Sequence, residues 1–222
     1  MLYIDLTLPI SNDAPPFPGD TPPYITTDKT IEKDGFQVQT WTLSSHQGTH
    51  IDAPAHVFPK GKCLSDYPLS KFIRPLGALF SSETEPAPNL EISFSDRDME
   101  KLDGSFTSGS VLIFLSGWRE IAEKNHYDYF RDAPSLKPEF AEWIASQKFS
   151  MFGMDLPSPD WFNDSNLTCH KILLKQDILL LENLYHPENL RKGAGHHLMI
   201  HAVPLSVRNA EASPVRVFAY GE

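Results

Sequence analysis

Cysteine is nearly absent. Cys63 and Cys169 are the only two in 222 residues, too few for a disulfide framework and without C-x-x-C spacing. No run of Lys or Arg offers a phosphate track, and the formal net charge is −10, so nucleic acid is not an expected partner. No apolar stretch has the length needed to span a bilayer, and Met1-Leu2-Tyr3-Ile4-Asp5 lacks the basic-then-apolar pattern of a secretory signal. A membrane partner is therefore not expected, and the cytoplasm is the expected location. There is no Gly-x-Ser-x-Gly elbow. Cys169 and His170 are adjacent, so on a helix or strand their side chains diverge and do not readily pair as nucleophile and base.

What is present suits one globular domain over residues 1–222. Hydrophobic residues make up 41% and charged residues 22%, an ordinary balance for a chain with a packed core. The 19 prolines, many in loops such as 15–23 and 157–159, point to stiffened connections between short elements. Strands are expected at Tyr3–Thr7, Tyr24–Thr27, Phe36–Leu43, Leu76–Phe80, Val111–Leu115, Met151–Met154, Ile178–Leu181, Leu198–Val203 and Val215–Tyr220. Helices are expected at Asp96–Leu102, Gly117–Asn125, from Pro138 onward, and at Leu167–Gln176 with Asn166 or Thr168 as cap. Strict βαβ alternation is missing, which predicts an α/β or α+β domain with a mixed sheet.

Three of the nine histidines fall in Ser45-His46-Gln47-Gly48-Thr49-His50-Ile51-Asp52-Ala53-Pro54-Ala55-His56. His46, His50, Asp52 and His56 are all metal ligands or proton-transfer groups by type. On a helix Asp52 would point away from His46 and His50. On a straight strand His46 and His50 would lie about 13 Å apart at ~3.3 Å per residue, whereas ligands of one ion sit roughly 2 Å from it. The backbone must bend, and Gly48 is where it can. Pro54 then keeps Ala53 extended. The pattern predicts a metal-binding loop at a strand end. Further along, Glu182 closes a buried, Leu-rich strand and needs a partner. His196, His197 and His201 have no carboxylate near them in sequence and are expected to be structural or pocket-lining.

The motif His46-Gln47-Gly48-Thr49-His50-Ile51-Asp52-Ala53-Pro54-Ala55-His56 resembles the signature of the cyclase-like metal hydrolases, which include bacterial kynurenine formamidase and isatin hydrolase. Phe17-Pro18-Gly19-Asp20, Ser116-Gly117-Trp118, Gly153-Met154-Asp155, His170 and Leu179-Leu180-Leu181-Glu182-Asn183 resemble further segments of that family, so the likeness covers most of the chain. Two departures, Thr21 after Gly19-Asp20 and Leu156-Pro157-Ser158-Pro159 after Asp155, flank the expected substrate position. The resemblance implies a swivelling β/β/α fold, a homodimer or larger homo-oligomer such as a tetramer, and hydrolysis of an amide or lactam carbonyl. A role in tryptophan catabolism would follow from a kynurenine substrate. It implies that His46, His50 and Asp52 bind one metal, that Asp52, His170 and Glu182 bind a second, and that His56 is free for proton transfer.

That chemistry needs a nucleophile at neutral pH, charge stabilisation on the carbonyl oxygen, and a proton for the leaving nitrogen. A bound divalent metal supplies the first two, and the imidazole of His56 can supply the third. The donor set suits Zn²⁺, with Mn²⁺ or Fe²⁺ as alternatives, as one or two ions. An aryl formamide would want an aromatic wall; Phe17, Trp41, Phe58, Trp118, Trp161 and Phe162 are candidates, and Asp20 joins Phe17 in a loop expected to face substrate. The expected function is metal-dependent hydrolysis of an aryl formamide such as N-formylkynurenine. The alternatives are a cyclic amide hydrolase and, in another class, a non-catalytic metal-dependent binding protein.

Overall fold

The run Val111-Leu112-Ile113-Phe114-Leu115 has no polar position, so a strand there must be covered on both faces. The computed structural model of the chain, which describes residues 1–81, 85–93, 106–193 and 197–221, covers it on both. The strands are β1 (Leu2–Asp5), β2 (Tyr24–Lys29), β3 (Val38–Thr42), β4 (His50–Asp52), β5 (Ile73–Ser81) and β6 (Glu91–Ile92). They continue with β7 (Val111–Leu115), β8 (Ser135–Leu136), β9 (Met151–Met154), β10 (Leu179–Glu182), β11 (Met199–Pro204) and β12 (Ala212–Gly221). The helices are α1 (Ile31–Asp34), α2 (Trp118–Asn125), α3 (Pro138–Ser146) and α4 (Thr168–Lys175). The helix expected at Asp96–Leu102, like His196, lies outside the described residues.

Eight strands form one mixed sheet in the order β1-β12-β11-β5-β7-β9-β10-β4. The β5–β7, β7–β9 and β9–β10 pairings are parallel and the others antiparallel. The first residues of β12 also pair with β4, Ala212 opposite Asp52 and Pro214 opposite His50. That pairing closes the sheet into a barrel-like ring. The fold is thus α/β with a mixed sheet, as expected, and β7 is central.

Side chains of a strand alternate between faces, so the sheet makes two cores. Val111, Ile113 and Leu115 join Ile51, Leu179, Leu181, Ile200 and Val217 inside the ring. Leu112 and Phe114 join Phe152, Leu180, Phe140, Ile144 and Leu173 beneath the helices. Pro138 takes the first turn of α3, where its missing N–H costs nothing. The backbone N–H groups of Ser116 and Gly117 donate to the buried Asp155 at 2.7 and 2.8 Å and tie the entry of α2 to the end of β9.

One local expectation changes, and two further details emerge. Neither Asn166 nor Thr168 caps α4: Leu167 occupies that position at φ 49°, and carboxylates from the preceding loop accept the free N–H groups instead. Short 3₁₀ turns form at Leu64–Asp66 and Pro187–Gly193. The β2–β3 hairpin stands apart from the main sheet, with every residue of β3 exposed.

Phe114 is fully buried between the sheet and the helices. Phe114→Ala should cost about 3–5 kcal/mol and lower the thermal midpoint by roughly 10 °C. Circular dichroism melts of the two proteins check this; an unchanged midpoint would contradict the two-core description.

Candidate metal centre

The bend required by the histidine spacing is present. Gly48 has φ 64°, a left-handed conformation costly for other residues, and a Cβ there would meet Ile10 Cγ1 at 3.2 Å. The turn brings the His46 and His50 rings to 5.0 Å between centroids. β4 begins at His50, and alternation sends Ile51 into the ring core while His50 and Asp52 emerge on the helix side. The register with β10 sets Glu182 opposite His50 and Leu180 opposite Asp52. Ala53 is extended at ψ 164°, and Pro54 opens a 3₁₀ turn that ends on His56. The His56 ring lies 4.4 Å from that of His46 and 5.4 Å from that of His170, which α4 delivers from above.

Four histidines and two carboxylates therefore converge. His46 Nδ1 is 3.1 Å from Asp52 Oδ1, and His50 Nε2 is 3.5 Å from the same oxygen. His170 Nε2 lies 3.7 Å from Asp52 Oδ2 and 3.2 Å from Glu182 Oε1, while His50 Nε2 lies 3.2 Å from Glu182 Oε2. Two ligands of one tetrahedral ion, each roughly 2 Å from it, stand about 3.3 Å apart, so these separations match shared coordination. Both Asp52 oxygens, Glu182 Oε1 and His50 Nε2 are buried without a hydrogen-bond partner. Unpaired buried carboxylate oxygens are costly, and a divalent cation is what this donor set lacks.

Two groups of potential ligand atoms lie especially close together among the described residues. Asp52 groups with His46 and His56, and again with His50 and Glu182. His50 sides with Glu182 because the β4–β10 register puts the two face to face, and His56 stands within reach of the cluster rather than apart from it.

Electrostatics follow from burial and proximity. Burial opposes protonation of His50, but Asp52 and Glu182 outweigh it and push its pKa up to about 9. Burial likewise opposes His170, yet Asp160, Asp52 and Glu182 hold it well above the usual imidazole range. Burial acts to raise Asp52, but His46 and His50 keep it well below the ordinary carboxylate value. Burial and the Asp52 charge act to raise Glu182, and the adjacent His170 and His50 imidazoles still lower it. His56 goes the other way: burial depresses it, with His46 and His170 adding like-charge repulsion. His56 alone among these imidazoles favours the neutral form.

The second ring nitrogens of His50, His46 and His170 each face a group outside the cluster. The Gly48 carbonyl can only accept, so His50 Nδ1 donates to it at 2.9 Å and Nε2 is turned to the cluster. Glu211 accepts the Ser45 hydroxyl at 2.6 Å and lies 3.6 Å from His46 Nε2. Asp160, 4% exposed, accepts the backbone N–H groups of Cys169 and His170 and, at 2.6 Å, the Nδ1–H of His170. Sequence reading did not single out Asp160. The available signal was a carboxylate shortly before a helix that opens on a histidine.

A cavity of about 400 Å³ lies over the cluster. Phe17 and Asp20 line it; Phe17 meets Phe130 edge-on at 5.7 Å, and Asp20 accepts the Ser44 hydroxyl at 2.8 Å. Trp41 and Phe58 do not line it. Trp41 is 64% exposed on the free-standing hairpin, and Phe58 packs toward the outer core beside a separate surface cleft. Trp118 is buried in the core. Tyr129 and Phe130, which sequence reading did not single out, form part of the wall. His201 stacks on Phe218 in the ring wall, outside both ligand groups.

Fold and site together define a class: an α/β protein with a closed mixed sheet and a candidate metal centre at strand ends. The Cyclase family model matches residues 4–161, and the chain belongs to that family. It is 30% identical over 217 residues to a kynurenine formamidase of Bacillus cereus, covering 96% of this chain and 95% of the relative. A kynurenine formamidase of Bacillus anthracis is 31% identical over 215 residues, with the same coverage. An isatin hydrolase solved with the product analogue thioisatinate superposes with a TM-score of 0.80 at 18% identity, covering 99% of this chain and 92% of that one. Isatin hydrolase A from Labrenzia aggregata, bound to benzyl benzoate, superposes with a TM-score of 0.79 at 19% identity, covering 98% and 93%.

Asp160→Asn should weaken Zn²⁺ binding about 10–100-fold, the usual cost of losing an outer partner of a ligand histidine. Competition with a chromogenic chelator measures it; wild-type affinity in the variant would rule out the orienting role.

Proposed function

We propose that the chain is a metal-dependent hydrolase of non-peptide amide C–N bonds whose substrate is an aryl formamide such as N-formylkynurenine. One observation carries this reading: the unpaired Asp52, Glu182 and His50 atoms face a cavity large enough for a one-ring substrate and walled by Phe17, Tyr129 and Phe130. The relatives named kynurenine formamidase, matched along nearly their full length, support the reaction class. Residues 1–222 act as one domain. His46, His50, Asp52, His170 and Glu182 hold the ion or ions, Zn²⁺ or Mn²⁺ by donor type, and both oxygens of Asp52 are open to sharing between two.

When bound, a divalent cation polarises a carbonyl oxygen and makes water nucleophilic near neutral pH. The chain's own residues do the rest. Glu182 and Asp52 keep their negative charge in a buried site and so fix where cation density sits. Asp160 and the Gly48 carbonyl hold the Nδ1 protons of His170 and His50, which keeps both Nε2 atoms on the cluster. His56, neutral and part-exposed at the cavity, takes a proton from the attacking water and returns it to the leaving aryl nitrogen. Phe17 and Phe130 exclude solvent from one side.

The exposed β2–β3 arm, with Tyr24 and Trp41, supports a homo-oligomer in which a second copy covers this apolar surface.

His56→Ala should retain bound metal and lose at least about 100-fold in kcat on N-formylkynurenine; loss of metal together with activity would make His56 a ligand instead. Chelator should abolish turnover, and added Zn²⁺ or Mn²⁺ should restore it. Turnover of isatin but of no formamide would replace the formamidase assignment with a cyclic amide one. Light scattering should give at least twice the 25.0 kDa chain mass, and Trp41→Lys should reduce it; a monomeric wild type would remove the oligomer proposal.

A further inference from the structure

The cavity over the cluster is acidic. Asp13, Asp20, Asp52 and Glu182 all line it, and among the described residues Arg119 is the only lining Lys or Arg. Arg119 sits in the first turn of α2, next to the buried Trp118, whose indole N–H donates to the Tyr129 carbonyl at 2.9 Å. Its guanidinium lies 4.1 Å from the centroid of the Tyr129 ring. Tyr129 is itself pinned, donating its hydroxyl to the Asp155 carbonyl at 2.8 Å and lying 3.1 Å from Asn183 Oδ1, one residue past Glu182. The guanidinium is thus held on an aromatic platform beside the cluster.

Arg119 Nε and Nη2 are buried and have no hydrogen-bond partner. A guanidinium presents its donors in a planar fork that matches a carboxylate, and leaving buried donors unpaired is costly. Asp20, which accepts the Ser44 hydroxyl, makes no hydrogen bond to these two atoms. Away from the His/Asp/Glu cluster, Asp13 and Asp20 disfavour an anionic ligand, and the Arg119 guanidinium is where such a group is favoured.

We propose that Arg119 is a specificity-determining residue that receives a carboxylate on the substrate. This rests on the amide-hydrolase reading above and narrows it to aryl amides carrying an anionic group. The aromatic body lies against Phe17 and Phe130, the carboxylate meets the Nε/Nη2 edge of Arg119, and the amide is directed to the His/Asp/Glu cluster.

The test compares metal-loaded wild type, Arg119→Gln and Arg119→Lys on N-formylkynurenine, which carries a carboxylate, and formanilide, which does not. The ratio of kcat/KM values between the two substrates should fall about 10–100-fold in Arg119→Gln, mainly through KM, as expected for a lost charge-assisted fork. Arg119→Lys, which keeps the charge but not the fork, should fall between. An unchanged ratio, with both substrates losing equally, would overturn the assignment and leave Arg119 a structural support for Tyr129. If wild type hydrolyses neither substrate, the formamidase reading fails separately. Calorimetric titration with kynurenine then decides the residue's role: binding at least about tenfold weaker to Arg119→Gln upholds it, and equal affinity rejects it.

Discussion

Asp52 is completely buried, and neither of its carboxylate oxygens has a hydrogen-bond donor. A bare carboxylate in that position would be strongly destabilising, so the surroundings have to answer it. They do so with three imidazoles that have their other nitrogens already occupied. They also do so with backbone. β4 is hydrogen-bonded on one side to β10 and on the other to the start of β12, so the short segment that carries His50 and Asp52 is clamped between two strands. Closure of the sheet and placement of the charge are therefore one structural event. A ring left open at β4 would leave the ligands on a loose edge.

The same strand pairings explain why the cluster lies on the helix side. Ile51, Leu179 and Leu181 fill the ring, and the alternate positions have to face outward. Where those positions are Leu112, Phe114 and Leu180, α3 and α4 cover them with apolar side chains. Where they are His50, Asp52 and Glu182, α4 contributes His170 in place of a hydrophobe. The candidate metal centre is the polar continuation of the outer core, nearly dry yet lined with metal-binding side-chain types.

Much of this was legible in the chain. The histidine spacing, read with Gly48 and Pro54, demanded a bend that local geometry alone could justify, and the bend is there. The uninterrupted run at 111–115 required a central strand, and Pro138 marked a helix start. Pairing of His50 with Glu182 was not legible, because it depends on the register of two strands far apart in sequence, and a period of two gives the face but not the partner. Asp160 was hidden for a related reason. A carboxylate in a Pro-rich loop looks like solvent-facing polarity until the fold sets it beneath a helix terminus. Trp41 misled in the opposite direction: an aromatic beside the motif suggested a substrate wall, but its hairpin leaves the main sheet.

Asp160 does two jobs with one side chain. It accepts the Cys169 and His170 amides that start α4, and it orients the His170 ring. The first turn of that helix and the orientation of the His170 ring therefore melt and form together. Filling the centre should slow isotope exchange at the Cys169 and His170 amides more than at the exposed end of the same helix, since local opening would first have to release the ion. The backbone of α4 becomes a reporter of occupancy, readable without any substrate.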